Sequence, residues 1–174
     1  VNYVQFTSGK LDRGEQIRLL QIADYHNKAF PPGHSRQLLQ RIKQLKPDLI
    51  VITGDLVDAK TEDYQPVYRL ITQMVKINSQ VYYVSGNHEW RSGRVAELTQ
   101  GLQARGVTVL NNTHVCYQKG QLAVNLCGID DPHSRHDDLE RALAQTDARL
   151  YTILLSHAPD IVWRQRKLPV DLIL

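Results

Sequence analysis

Short apolar runs alternate along this chain with stretches whose apolar residues recur at helical spacing. The β-branched run at 49–53 predicts a buried strand because it is short and ends at a glycine. At 35–46 the apolar positions share one helical face, and Pro47 ends the predicted helix. The same signatures predict strands at 18–23, 81–84, 150–155 and 171–174, and helices at 64–75, 95–102, 137–144 and 160–166.

This alternation predicts an α/β fold, since strand–helix–strand units favour right-handed crossovers and parallel pairing. The exception is a β-rich stretch at 107–129 that contains a hairpin turning near 119–120. A chain of 174 residues is long enough for a sizeable core, and we expect one domain over residues 1–174.

The two cysteines do not have metal-ligand spacing. With the turn near 119–120, Cys116 should face Ala123 and Cys127 should face Asn112. That offset is about 13 Å along the strands, which is beyond disulfide reach. We therefore expect two free thiols.

Composition narrows the class of protein. The hydrophobic fraction is 42% and the charged fraction 22%, as in ordinary globular proteins. The net charge of +3 is mild and its basic residues are dispersed, so there is no strong nucleic-acid signal. This sequence contains neither an apolar run of membrane-spanning length nor a signal-peptide pattern. We expect this chain to be soluble, in the cytoplasm or associated with a membrane through a segment upstream of Val1.

Polar residues with metal-ligand chemistry follow four of the predicted strands. They are Asp24 and His26; Asp55 and Asp58; Asn87, His88 and Glu89; and His157. Because ligands bind beyond the carboxyl ends of parallel strands, these side chains are expected to meet in one crevice. Each has a structural alternative, such as a turn cap for Asp24 or a buried histidine for His157. Their common order and placement favour a site.

The residue types favour two divalent ions acting on a phosphoester. Such a site needs a carboxylate that bridges both ions, and Asp55 is the natural bridge. Asp24 and His26 can chelate one ion, while Asn87 and His157 can hold the other. Mixed oxygen and imidazole ligands suit Mn²⁺, Fe or Zn²⁺ better than Mg²⁺ alone.

Other polar and aromatic residues have less defined roles. His88 points away from Asn87 and could protonate the leaving group, with Asp58 hydrogen-bonded to it as an orienting carboxylate. We interpret His34, His133 and His136 as surface residues, although His133 could touch substrate. Trp90 and Trp163 are interpreted as packing residues.

The segments IADYHN, ITGDLVDA, SGNHEW, GIDDP and LLSHAPD together give the chain a family likeness. The sequence resembles the calcineurin-like metallophosphoesterase superfamily over nearly its whole length. Within it, the chain resembles a bacterial, often membrane-associated branch that includes enzymes acting on UDP-2,3-diacylglucosamine-type lipids. The resemblance implies a two-sheet β-sandwich flanked by helices and a pair of metals. It implies that one metal is bound by Asp24, His26 and Asp55, and the other by Asp55, Asn87 and His157. It also implies that His88 lies near the leaving group with Asp58 behind it.

The sequence departs from this family in two ways. The last family motif, Gly-His-x-His, should follow the strand at 170–174 and is not in the sequence. We expect a C-terminally truncated domain whose gene supplies that motif within about ten further residues, and poor activity without it. Gly54-Asp55 leads to Asp58-Ala59-Lys60, so the Gly-Asp-x-Val-Asp-Arg-Gly motif of protein Ser/Thr phosphatases is not met.

The sequence thus favours a phosphohydrolase that cleaves a phosphomonoester or phosphodiester by attack of a metal-bridging hydroxide. One alternative is a nuclease of the same superfamily, which would need a basic groove or an added DNA-binding domain. Another is a non-catalytic metal-binding or interaction domain. A metal-dependence assay separates the last alternative from both enzymes.

Overall fold

Two packed β-sheets form the centre of the molecule. The computed structural model describes residues 2–12, 14–27, 34–164 and 168–174. Within these residues the first sheet is parallel throughout and has the order β1 (Leu19–Ile22), β2 (Leu49–Thr53), β3 (Val81–Val84) and β4 (Thr108–Val109). The second sheet has the order β5 (Thr113–Lys119), β6 (Leu122–Gly128), β7 (Tyr151–Leu155) and β8 (Leu172–Ile173). Its first two strands form an antiparallel hairpin, and the others pair in parallel.

Helices cover the sheets on their outer faces. They are α1 (His34–Leu45), α2 (Gln65–Ile77), α3 (Asn87–Arg91), α4 (Val95–Gln103), α5 (Leu139–Leu143) and α6 (Ile161–Arg164). The expected α/β fold of two sheets flanked by helices is therefore confirmed. None of the helices in the described ranges combines the length and apolarity needed to cross a bilayer.

Strand β2 shows why the sequence folds into layers. Ile50 and Ile52 pack into the core between the first sheet and its helices. Leu49 and Val51 point the other way, into the core between the two sheets. A parallel strand buried on both faces needs a continuous apolar run, as this segment has.

Most predicted elements are present, with ends shifted by a few residues. The structure adds the short helix α3, which has too few residues to show helical periodicity. His34, expected in a loop, begins α1. The expected loop at 30–33 and the end of the helix predicted at 160–166 fall outside the described residues.

The hairpin register was predicted incorrectly. Cys116 faces Asn125 and Cys127 faces His114, two residues from the expected partners. The turn is centred one residue later than expected, and each one-residue shift in the centre moves every cross-strand partner by two. The two cysteines are not bonded to each other. Burial raises the pKa of the Cys127 thiol to about 12.

Candidate metal centre

The loops that follow β1 and β2 are joined through their backbones. The His26 N–H donates to the carbonyl of Asp55 at 2.9 Å, and the Asn27 N–H donates to that of Leu56 at 2.9 Å. These bonds place the polar residues after β1 directly beside those after β2. His157, which follows β7 of the second sheet, reaches the same place from the opposite layer.

Backbone strain accompanies this arrangement. Asp24, His26 and Asp55 have φ values of +53°, +54° and +49°. The left-handed region is unfavourable for residues other than glycine, and such residues concentrate at functional sites. The surrounding hydrogen bonds must hold these three residues in position.

Asp55 lies at the centre of a group of imidazoles. Its side chain is only 5% exposed. Its Oδ2 is 3.7 Å from Nε2 of His26 and 3.9 Å from Nε2 of His88. Its Oδ1 is 3.5 Å from Nε2 of His157 and accepts a hydrogen bond from the His88 backbone N–H at 3.0 Å.

These carboxylate–imidazole distances suit ligands that share an ion. They exceed the usual range for a hydrogen bond. Two donor atoms bound to one ion at about 2.0–2.2 Å lie roughly 3–3.5 Å apart. Small movements of these side chains would therefore bring them to coordination distance from a shared ion. Two groups have donor atoms within 4.8 Å of one another: Asp24, Asp55 and His157, and His26, Asp58 and His88.

The tautomer of His157 suits a ligand role. Its Nδ1 is 3.0 Å from the carbonyl of Thr53 and can only donate there. Its Nε2 is therefore unprotonated in the neutral ring, and it faces the Asp55 carboxylate. A backbone carbonyl that fixes the second nitrogen in this way is typical of metal-binding histidines.

Asn87 does not present its oxygen to the site as we expected. Its amide is 3.0 Å from Nε2 of His157. The hydrogen-bonding geometry is satisfied when the amide nitrogen donates to His157 and the oxygen accepts from the Arg91 guanidinium at 2.9 and 3.2 Å. To act as a ligand, Asn87 must turn this amide over.

His26 and Asp24 complete the β1 side. Among the described residues, the buried Nδ1 of His26 has no hydrogen-bond partner, while its Nε2 lies 3.7 Å from Oδ1 of Asp24. The side chain of Asp24 is 61% exposed, so this edge of the site is open to solvent. An imidazole nitrogen directed at a carboxylate and an open carboxylate both fit a site that accepts an ion.

The expected hydrogen bond between Asp58 and His88 is not formed, because the two groups lie 3.8 Å apart. Nδ1 of His88 instead accepts from the Ala59 N–H at 3.1 Å. The backbone N–H of Lys60 lowers the pKa of the Asp58 carboxyl, and the nearby imidazoles contribute to the shift. Asp58 therefore acts on His88 through its charge and not through a hydrogen bond.

Glu89 has a role that the sequence did not reveal. Its carboxylate is fully buried. Oε1 accepts from the N–H groups of Leu56 and Val57 at 2.7 and 3.1 Å, and Oε2 accepts from those of Asp55 and Gly86 at 3.0 and 2.8 Å. Burial raises the pKa of Glu89, while the backbone donors oppose that rise. The carboxylate thus fixes the strained loop that carries Asp55.

Two glycines allow the strand-end loops to approach closely. A Cβ on Gly86 would collide with Oδ1 of Asp55 and lie 2.6 Å from its backbone nitrogen. A Cβ on Gly54, whose φ is +85°, would lie 2.6 Å from Nδ1 of His157. Any side chain at these positions would displace residues of the site.

An aromatic cluster ties α3 to the second sheet. The indole N–H of Trp90 donates to Oδ1 of Asp130 at 2.7 Å, and the ring stacks on His136 at 3.4 Å between centroids. Burial raises the pKa of Asp130, and the indole N–H opposes that rise. Nε2 of His133 lies 3.9 Å from Asp160. The two contacts of Trp90 fix the helix that begins with Asn87.

Trp163 does not pack as expected, since it is 85% exposed. It belongs to the single turn of α6, in which Ile161 is buried against the third core cluster. A helix this short offers one inward position, and Ile161 occupies it.

Comparison with known proteins agrees with the fold and identifies the family. The family model described as calcineurin-like phosphoesterase matches residues 17–174. An uncharacterized metallophosphoesterase of Helicobacter pylori is 29% identical over 156 residues, which are 86% of this chain and 40% of the relative. The uncharacterized metallophosphoesterase YkuE of Bacillus subtilis is 30% identical over 163 residues, 90% of this chain and 56% of the relative. The chain thus spans about half the length of these relatives.

A solved structure shows the same fold. The 5′-nucleotidase precursor from Thermus thermophilus superposes with a TM-score of 0.64 over 90% of this chain and 40% of its own. Sequence identity in that comparison is 16%, so the likeness concerns the fold alone.

Proposed function

The chain belongs to the calcineurin-like phosphoesterase family, and from this premise we propose that it hydrolyses a phosphomonoester or phosphodiester with two divalent metal ions. The observation that carries the proposal is the buried carboxylate of Asp55. It faces the imidazoles of His26 and His157 at distances that suit shared ions, and the His88 imidazole on α3 lies beside them. We propose that residues 1–174 form one domain that holds these groups. That the whole protein acts on a phosphoester is likewise a proposal.

The proposed ligand sets share Asp55. Asp24, His26 and Asp55 would hold one ion, and Asp55, Asn87 and His157 the other. Ions bound there would supply a nucleophile at neutral pH and neutralise charge on the phosphoryl oxygens. The unprotonated Nε2 of His157 and the Nε2 of His26, which lies 3.7 Å from both Asp24 and Asp55, support this assignment.

His88 is proposed as the proton donor to the leaving group. Its Nδ1 accepts the Ala59 N–H, so in the neutral ring the hydrogen lies on Nε2, which faces the crevice. To act as an acid the ring first takes up a second proton at Nδ1, which would turn from the Ala59 N–H toward the Asp58 carboxylate 3.8 Å away. The proton on Nε2 is then the one available to the leaving group. As the phosphorus–oxygen bond to the leaving group breaks, this proton passes to the departing oxygen. Asp58, with its lowered pKa, stays ionised and can accept a hydrogen bond from that Nδ1–H when the ring turns toward it.

A substrate panel assayed with the full-length gene product and Mn²⁺ tests the function. We expect turnover of a phosphomonoester or a phosphodiester that chelation abolishes and Mn²⁺ restores. A UDP-2,3-diacylglucosamine-type lipid in the panel tests the membrane-associated branch, and duplex DNA tests the nuclease alternative. Mn²⁺ binding without turnover of any member would support the non-catalytic domain instead.

His88→Ala should lower kcat by about 10²–10⁴-fold while Mn²⁺ affinity stays within experimental error, because a general acid acts only on the proton transfer. The loss should shrink for a p-nitrophenyl ester, whose leaving group needs no proton. Kinetics with alkyl and p-nitrophenyl esters and calorimetry with Mn²⁺ measure these effects. His114→Ala, on β5, serves as the matched control. Loss of Mn²⁺ binding in His88→Ala would show that His88 is a ligand.

A further inference from the structure

Arg91 brings a positive charge to the edge of the metal centre. It is the last residue of α3 and is exposed. Its guanidinium nitrogens lie 2.9 and 3.2 Å from the Asn87 amide, which is itself 3.0 Å from Nε2 of His157. One side-chain amide therefore separates the guanidinium from a proposed ligand.

The two candidate partners of Asn87 require opposite orientations of its amide. Hydrogen bonding to Arg91 directs the oxygen away from His157. Binding an ion with that oxygen turns the amide nitrogen toward Arg91, where donors would face donors. The guanidinium then lacks its acceptor and needs another one at the mouth of the crevice.

Arg91 differs in this respect from its neighbour Arg94. The Arg94 guanidinium is held by both oxygens of Glu97 at 2.8 Å and lies 4.5 Å from the centre of the Tyr64 ring. In the part of the chain that the structure describes, Arg91 forms no ion pair with a carboxylate. Its charge is therefore available to an anionic ligand.

The helix that carries Arg91 is fixed on both sides. Glu89 binds the loop of Asp55, and Trp90 is held by Asp130 and stacks on His136. A guanidinium on a fixed helix loses little freedom when it binds, which favours positioning of a ligand.

We propose that Arg91 binds the non-bridging oxygens of the substrate's phosphoryl group when Asn87 turns its oxygen into the metal centre. The proposal rests on the proposed function and names a positioning residue for it. A planar guanidinium suits this role because its paired N–H groups match two phosphoryl oxygens. The imidazoles that face Asp55 are already proposed ligands or the proton donor, and carboxylates repel phosphoryl oxygens.

The test compares wild type with Arg91→Ala, Arg91→Lys and the control Arg69→Ala, an exposed arginine on α2. We expect Arg91→Ala to raise KM for the best panel substrate about 10–100-fold, the effect of one lost charged hydrogen-bonding group. Binding of inorganic phosphate, followed by ³¹P NMR with Mn²⁺ present, should weaken by a similar factor. Arg91→Lys should have a KM and a phosphate affinity between those of wild type and Arg91→Ala. Lysine keeps the positive charge but cannot form the paired hydrogen bonds of a guanidinium.

Mn²⁺ affinity separates positioning from structural damage. Removing Arg91 frees the Asn87 oxygen, so calorimetry should show Mn²⁺ binding that is unchanged or tighter. Weaker Mn²⁺ binding with unaltered phosphate binding would overturn the proposal, as would phosphate binding equal to that of Arg69→Ala.

The measurement of phosphate binding also allows the role of Arg91 and the proposed function to be tested separately. Absence of turnover with a preserved difference in phosphate binding would refute the function and leave the role of Arg91 supported. Turnover with no difference between Arg91→Ala and Arg69→Ala would support the function and refute the role of Arg91.

Discussion

Asp55→Asn is expected to abolish Mn²⁺ binding and phosphoester hydrolysis together while the protein stays folded. Asparagine has nearly the same shape and can still accept the His88 N–H that Oδ1 receives at 3.0 Å. It lacks the negative charge that faces the imidazoles of His26, His88 and His157. A neutral amide cannot bridge two divalent ions as a carboxylate does.

Calorimetry with Mn²⁺ and turnover of the best panel substrate measure the two losses, and circular dichroism checks the fold. Asp63→Asn is the matched control. Oδ1 of Asp63 accepts the Gln65 N–H at 2.8 Å at the start of α2, and asparagine keeps this bond. Retained Mn²⁺ binding in Asp55→Asn would contradict a shared bridging carboxylate.

Glu89→Gln should cause the largest loss of stability among these variants. A carboxamide has one oxygen, so its nitrogen must face either the N–H groups of Leu56 and Val57 or those of Asp55 and Gly86. Buried donors left without acceptors cost about 1–3 kcal/mol each, and we expect a loss of about 2–4 kcal/mol in the free energy of unfolding. For a chain of this size that lowers Tm by about 5–15 °C.

Thermal and urea unfolding measure this loss, and Mn²⁺ affinity should fall as well because the strained backbone of Asp55 loses its anchor. Glu97→Gln is the control, since that exposed carboxylate only pairs with Arg94 and should change stability by less than about 1 kcal/mol. Equal effects of the two substitutions would argue against Glu89 as the anchor of the loop.

The sequence by itself determined the layers and the edge where chemistry occurs. Strand β2 was predictable because burial on both faces demands an unbroken apolar run, and the run at 49–53 is of that kind. Asp24 and Asp55 could be placed together because parallel strands align their carboxyl ends at one edge, whereas His157 follows a strand of the second sheet. These inferences need only side-chain polarity, order along the chain and the geometry of parallel pairing.

Only the tertiary structure decided how these groups are held and oriented. The bonds between Glu89 and the backbone of residues 55–57 cross 32 to 34 positions, and backbone N–H groups are the same in every sequence. The separation of His88 from Asp58 and the competition of Arg91 for Asn87 depend on differences of about an ångström in loop positions. Periodicity specifies which face of an element is buried. Hydrogen-bond partners are specified by three-dimensional distances, which arise only when both layers are packed.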